Sequence, residues 1–233
     1  MKTIIASFQK KFFYNIELGK IHNDIYYCKL NFNYEEYHDR LFKIYKINYD
    51  NSLIKYSIKR QAEYLSGRFC CKIIFDYLND SNQVLSNHDK SPLWPKGFVG
   101  SISHTDKNAI AIMTRNVLCK LGIDIEYFDK KKILNYEHLI SNYEMLLLKS
   151  HNISYKLSLL ISFSAKESLF KALYPQTKIP LYFDKMYIYK IDISNQKFYI
   201  RINHIYVGII LPQLEFVGHY ILENNLLTTF IIC

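Results

Sequence analysis

Glycine and proline are scarce here, 7 and 5 of 233 residues, and tryptophan occurs once. Tyrosine, phenylalanine, isoleucine, asparagine and lysine are abundant instead, a bias we attribute mainly to base composition rather than function. The five cysteines, Cys28, Cys70, Cys71, Cys119 and Cys233, form no C-x-x-C pair and are odd in number. That spacing argues against a zinc site or a disulfide framework and fits a reducing compartment, the cytoplasm. No stretch of 18 apolar residues is present, so no membrane span is expected. The opening MKTIIASFQKK is too short in its apolar part for a secretory signal. No helix-turn-helix, zinc-finger or RNP motif appears, so nucleic acid is not an expected partner. A hydrolase elbow, G-x-S-x-G, is also missing.

What is present is a hydrophobic fraction of 49% and a formal charge of +9. The first predicts a packed core rather than disorder, and the length suits one large domain or two small ones. The second suits an anionic partner, though charge alone does not choose among nucleotide, acidic protein, nucleic acid and membrane. The longest basic run, Lys130-Lys131-Lys132, reads as a solvated loop or helix start.

Periodicity predicts a helix over Ile54 to Leu78, with Ile58, Ala62, Leu65, Phe69 and Ile73 on one stripe. Gly67 inside it costs about 1 kcal/mol against alanine, which marks a close approach by another element. A polar loop with Pro92 and Pro95 follows, then strands at Phe98 to Ser103, Ala109 to Met113 and Leu121 to Glu126, with a turn at Asp106-Lys107-Asn108. Helices are predicted from Tyr136 to Lys149 and from Ser154 to Tyr174, the latter stopped by Pro175. A meander closes the chain: Met186 to Ile193, Lys197 to Asn203, Glu215 to Leu222, and Leu226 to Ile232 after a turn at Asn224-Asn225. The first 50 residues give no firm element. The order helix, strands, helix, strands is compatible with two similar α+β halves joined near Asn116.

Four groups of residues carry chemistry. In Gly122-Ile123-Asp124-Ile125-Glu126, a strand puts both carboxylates on one face and both isoleucines on the other. Paired carboxylates repel unless a cation or basic groups lie between them, and hard oxygen ligands suit Mg²⁺. In Phe163-Ser164-Ala165-Lys166-Glu167-Ser168-Leu169-Phe170-Lys171, Glu167 and Lys171 share a helix face, and an ordinary surface pair is the plain alternative. Gly100-Ser101-Ile102-Ser103-His104 closes a strand with a hydroxyl and an imidazole at its exit. Arg60 and Arg68 stand eight residues apart, a little over two turns, and point roughly the same way. Each signal is weak alone.

Their order is specific. Arg60 through Gly67-Arg68, Pro92-Leu93-Trp94-Pro95, Gly100 to His104, Gly122 to Glu126, and Lys166-Glu167 with Lys171 follow one another over residues 60 to 173. This succession resembles the phosphopantetheinyl transferases of siderophore and peptide synthesis, on the branch of enterobactin synthetase component D. The resemblance implies an α+β fold of two similar halves in pseudo-twofold arrangement, each an antiparallel sheet packed with helices, divided as residues 1–116 and 117–233. It implies a monomer with the active site between the halves.

The resemblance further implies transfer of the phosphopantetheine arm from coenzyme A to a serine of an acyl, peptidyl or aryl carrier protein. It implies Mg²⁺ held by Asp124, Glu126 and Glu167, with Glu167, Asp124 and Lys171 as catalytic residues. Coenzyme A contacts would come from Arg60, Arg68, Lys90, Ser91, Pro92, Ser103, His104, Asp124, Lys166, Glu167 and Lys171. The first half would hold the adenosine and phosphate end, and the second the acids and the carrier protein. A basic nucleic-acid binder and a non-catalytic coenzyme A binder are the rivals. The first leaves Asp124 with Glu126 unexplained, and the full acid set argues against the second.

Overall fold

The computed structural model describes residues 12–22, 24–128, 133–178, 181–203 and 214–233. Lys130, Lys131 and Lys132 lie outside them. The first described unit is a hairpin, β1 (Phe13–His22) and β2 (Ile25–Phe32), in a region where sequence reasoning placed no firm element. Strand β1 lies at a sheet edge with Phe13, Ile16 and Leu18 against the core, and two register shifts against β2 disturb the alternation that identifies a strand. A short helix α1 (Arg40–Ile44) follows.

The long helix α2 (Ile58–Tyr77) starts later than expected. Asn51–Lys55 forms a separate 3-10 turn, and Ser57 caps α2 by accepting the Arg60 N–H at 3.3 Å. Ile58, assigned to the stripe, is 61% exposed, because it stands in the first turn, ahead of the packed part of the helix. Ala62, Leu65 and Phe69 of the stripe are buried, Ile73 is only half-buried against the core, and Ile74 and Phe75 take the buried positions of the last turns. A Cβ at Gly67 would meet Ile102 Cγ2 at 2.7 Å, so the glycine marks a close approach between helix and sheet.

After the two-residue strands β3 (Leu85–Ser86) and β4 (Pro92–Leu93) come β5 (Val99–Thr105) and β6 (Asn108–Thr114). The first sheet has the order β1-β2-β6-β5, antiparallel throughout, with α2 across one face.

The second sheet begins with β7 (Leu121–Tyr127). The single helix expected from Tyr136 to Lys149 is two pieces, a 3-10 segment Ile133–Leu139 and α3 (Asn142–Ser150). Ser141 divides them. Its hydroxyl caps α3 and Glu144 returns a bond to the Ser141 N–H, a reciprocal capping box that fixes a helix start there. Helix α4 (Tyr155–Thr177) runs past Pro175. The ring forfeits one i→i−4 bond in the last turn. The Tyr174 carbonyl still receives the N–H of Lys178, whose φ of 54° ends the helix. Strands β8 (Met186–Asp192), β9 (Lys197–Ile202), β10 (Glu215–Glu223) and β11 (Leu226–Ile232) complete the order β7-β11-β10-β9-β8. Asn224 and Asn225 both adopt positive φ, 50° and 64°, as a tight hairpin turn between β10 and β11 requires.

The chain is therefore two α+β units, each an antiparallel sheet with a long helix across it. Their edges meet where β5 and β7 run side by side. No backbone ladder joins them. Instead Ser101 Oγ accepts the Ile123 N–H at 3.1 Å and Ser103 Oγ the Ile125 N–H at 3.3 Å. Beneath this seam Ile110, Ile112, Ile123, Ile125 and Phe230 form a core shared by both sheets. Among the described residues no helix is long and apolar enough to cross a membrane.

Candidate active site

Strand β7 delivers its residues as the alternation requires. Ile123 and Ile125 enter the shared core, and Asp124 and Glu126 face the opposite way, toward α4. Gly122 permits this contact. A Cβ there would lie 1.8 Å from the Ser168 carbonyl oxygen, so only glycine lets α4 approach the strand so closely.

Asp124 is 2% exposed and fully bonded. Its Oδ1 accepts from Ser103 Oγ at 2.9 Å and from Lys171 Nζ at 2.6 Å. Its Oδ2 accepts from Ser164 Oγ at 2.8 Å. Lys171 also bonds Ser103 Oγ at 3.0 Å and stands 3.8 Å from Glu167 Oε2. The i,i+4 pair is thus no ordinary surface bridge. It is part of a cluster in which one ammonium pairs with Asp124 and Glu167, with Glu126 as a more distant third charge. Burial opposes the charge on Lys171, yet Asp124 and Glu167 outweigh it and hold the lysine above its usual pKa. Burial, reinforced by the charge on Asp124, pushes the Glu126 carboxyl up to about 8. Burial raises Glu167 also, against the pull of Lys171. The cluster is short of positive charge, the electrostatic state that a divalent cation would relieve. Among the described residues no three His, Cys, Asp or Glu side chains stand in a ready-made metal cage. Lys171 occupies Oδ1 of Asp124.

From Ser103 the cluster continues to His104 and Arg60. Arg60 Nη1 donates to His104 Nε2 at 2.6 Å, and His104 Nδ1 faces Glu63 Oε2 at 3.4 Å. Since arginine only donates, Nε2 is the acceptor and the ring proton is on Nδ1. Burial, with Arg60 and Lys171 nearby, lowers the imidazole pKa to about 3. The folded pKa lies below the unfolded one, so stability from this group is present above about 6.5 and is lost as pH falls toward 3. His104 is expected to show no imidazole titration between pH 5 and 8 in NMR spectra, and a shift midpoint near 6.5 would refute the neutral ring.

Three expected positions are placed differently. Lys166 is 1% exposed and turned away from the acids, with Nζ bonded to the Leu139 carbonyl at 2.6 Å and to Glu144 Oε2 at 3.0 Å. It borders a cavity of about 580 Å³ lined by Tyr143, Glu144, Tyr187 and Arg201, and by none of Asp124, Glu126 or Glu167. As a helix neighbour of Glu167 it projects roughly 100° around the axis, which is why adjacency in the motif did not bring it to the site. Arg68 forms no clamp with Arg60. It is 7% exposed, lies over the Tyr64 ring and gives Nη2 to the Leu85 carbonyl at 2.9 Å. Ser103 is 4% exposed, its hydroxyl engaged by Asp124 and Lys171 rather than presented to a ligand. Lys90 and Ser91 lie on the turn between β3 and β4 and Pro92 opens β4; Lys90 Nζ donates to Ser52 Oγ at 3.1 Å.

Sequence reasoning missed the hydroxyls behind Asp124. Thr229 sits opposite Asp124 in the β7–β11 register. Its Oγ1 donates to the Ser164 carbonyl at 2.8 Å, lies 2.8 Å from Ser164 Oγ and 2.6 Å from Ser168 Oγ, and all three residues are fully buried. The available signal was the Ser164, Ser168 spacing of i,i+4 on the helix that carries Glu167. Ser164→Ala strips one donor from a buried carboxylate and is expected to lower stability by about 1–3 kcal/mol in urea unfolding. An unchanged midpoint would show that Asp124 does not depend on it.

A family model described as the 4'-phosphopantetheinyl transferase N-terminal domain matches residues 50–114. A second, the 4'-phosphopantetheinyl transferase superfamily, matches residues 120–221. Enterobactin synthase component D of Salmonella typhimurium is 32% identical over 129 residues, 52% of each chain. Its namesake in Escherichia coli K12 is 31% identical over 121 residues, 51% of this chain and 57% of the relative. The 4'-phosphopantetheinyl transferase Npt of Nocardia iowensis is 28% identical over 134 residues, 56% of this chain and 59% of the relative. The chain thus spans about half the length of the curated relatives it matches. Successive matches on both sides of the seam, one to each sheet-and-helix unit, place the chain in the 4'-phosphopantetheinyl transferase superfamily, close to enterobactin synthase component D.

Proposed function

We propose that this protein transfers the phosphopantetheine arm of coenzyme A to a serine of a carrier protein and releases 3',5'-ADP. The observation that supports this most is the assembly around Asp124. Ser103 comes from the first half, Lys171 and Ser164 from the second, and the buried carboxylate sits at their junction beside two further acids. Arg60 and neutral His104 extend that line and would receive the anionic 3'-phosphate end of coenzyme A, the guanidinium providing the charge. The first half, residues 1–116, would hold the adenosine end. The second, residues 117–233, would hold the acids and meet the carrier. Arg68 would contribute indirectly, by fixing the Leu85–Ser86 segment.

The donor set fits Mg²⁺ in chemistry: carboxylate oxygens from Asp124, Glu126 and Glu167 with too little positive charge among them. When bound, the ion would neutralise charge on the pyrophosphate oxygens. The residues do the rest. Glu167, its pKa raised by burial, takes the proton from the carrier serine hydroxyl. The serine oxygen bonds to the phosphorus that carries pantetheine. The bond from that phosphorus to the bridging oxygen breaks, and 3',5'-ADP leaves with the electron pair. Lys171 stabilises the oxygens on which charge grows. Such a transfer relies chiefly on positioning and electrostatics. The net charge of +9 would steer an acidic carrier toward the site. The enzyme would act as a monomer in the cytoplasm, and its five free cysteines fit a reducing compartment.

The test is the intact mass of a carrier protein after incubation with this protein, coenzyme A and Mg²⁺. A gain of about 340 Da, the mass of the transferred group, that disappears with EDTA is the expected result. No gain on acyl, peptidyl and aryl carriers, with coenzyme A still bound, would replace the reading with a binding protein. No binding of coenzyme A would overturn it entirely.

A further inference from the structure

Besides the seam, hydrogen bonds among the described residues also tie the two halves at the turn between β3 and β4. The turn between β3 and β4 belongs to the first half, and the C-terminal end of α4 to the second. Asp89 on that turn accepts at Oδ2 from Tyr174 O–H at 3.0 Å and from Lys178 Nζ at 3.2 Å, both on α4 or its cap. Its Oδ1 accepts the Ser91 N–H at 3.0 Å and the Ser91 hydroxyl at 2.5 Å. One carboxylate therefore shapes its own turn with one oxygen and reaches across to the opposite half with the other. Ser91 backs the turn again, since its carbonyl accepts the Asn87 N–H at 2.9 Å. Hydrogen bonds to the ionised form, those from Ser91 first, hold the Asp89 carboxyl well below the usual carboxylate range, so the tie is charged at neutral pH.

The geometry points to Asp89 as a positioning residue, a clasp that docks the Lys90-Ser91-Pro92 turn against the end of α4 and so sets the coenzyme A side of the cleft. This rests on the transferase reading. Two features carry it beyond an incidental surface bridge. Tyr174 and Lys178 are i,i+4 on the helix that also bears Lys171, one turn before Tyr174, so the clasp closes next to the cluster that handles phosphate. Lys178 adopts positive φ at the helix cap, and its ammonium also lies 5.1 Å from the Tyr174 ring, so both partners of Asp89 are held together before they meet it. The turn reaches α4 through Asp89, while Lys90 Nζ is engaged by Ser52 within its own half.

The experiment compares wild type, Asp89→Ala, Tyr174→Phe with Lys178→Ala, and all three changes together. For transfer to a carrier protein, Asp89→Ala is expected to raise the KM for coenzyme A about fivefold, with kcat within about twofold. The Tyr174 and Lys178 changes should do the same. The triple variant should be no worse than Asp89→Ala, because both sets remove one contact. Hydrogen exchange in the free protein supplies the arm that does not need activity: amides of residues 87–91 should exchange faster in every variant, and those of β7 unchanged. Additive KM effects, or a fall in kcat with KM unchanged, would overturn the positioning role. Unchanged exchange at residues 87–91 would overturn the clasp itself. A wild type with no transferase activity would sink the functional reading alone, and the exchange result would still decide the clasp.

Discussion

Asp124→Asn is expected to lower kcat/KM for phosphopantetheine transfer by about a thousandfold, some 4 kcal/mol of transition-state stabilisation, while the protein stays folded. The amide keeps the shape of the carboxylate and an oxygen for Ser164, whose bond at 2.8 Å anchors the inner side. What disappears is the charge that Lys171 Nζ meets at 2.6 Å, and with it one of three candidate metal oxygens. Lys171 is about a quarter exposed and already lies 3.8 Å from Glu167, so its ammonium has an alternative partner and the fold bears the loss. Initial rates of carrier modification check the first part and thermal unfolding the second. Near wild-type turnover in Asp124→Asn would remove Asp124 from the chemistry. Normal turnover at saturating Mg²⁺ combined with a higher Mg²⁺ concentration for half-maximal rate would leave it as a metal contact only.

Gly122→Ala carries the largest expected effect on stability, about 3 kcal/mol or more. The added Cβ would stand 1.8 Å from the Ser168 carbonyl oxygen and 2.8 Å from the Ala172 backbone nitrogen, both on α4. Backbone atoms in a helix cannot swing aside as a side-chain tip can. Relief therefore requires α4 to move off β7, and α4 holds Ser164, Glu167 and Lys171. Stability and activity should fall together. Gly97 is the informative comparison. Its φ of 83° disfavours a side chain, but nothing lies within 4 Å of the added carbon, so Gly97→Ala should cost about 1 kcal/mol and leave transfer intact. Urea midpoints of the two variants rank them. A Gly122→Ala protein as stable as Gly97→Ala would mean that the strand and helix are not in the contact described.

Much of this was legible along the chain because it depends on local rules. Alternation placed Asp124 and Glu126 on one face of β7 and its two isoleucines on the other, as found. The glycine in α2 marked a close contact, and the Asn224-Asn225 turn closed its hairpin. The misses were also local in kind. The β1–β2 hairpin went unseen because β1 lies at an edge and two register shifts against β2 break the spacing of its core-facing residues Phe13, Ile16 and Leu18. The break before α3 depends on a single capping box inside an otherwise helical run.

The sequence by itself determined the superfamily and the residue types of the acidic cluster, since these follow from ordered motifs and strand alternation, while the two α+β units entered as what the resemblance implied. Only the tertiary structure decided which of those residues share a site. Lys166 and Glu167 are neighbours in the chain, yet one is buried against Glu144 and the other faces Lys171. Ser103 and Asp124 lie 21 residues apart and are joined by a 2.9 Å hydrogen bond. Thr229 reaches Ser164 across 65 residues. Such pairings arise from where the two sheets dock and how closely α4 can approach β7. Docking is fixed by the burial of apolar faces contributed from both halves, which periodicity within either half does not encode.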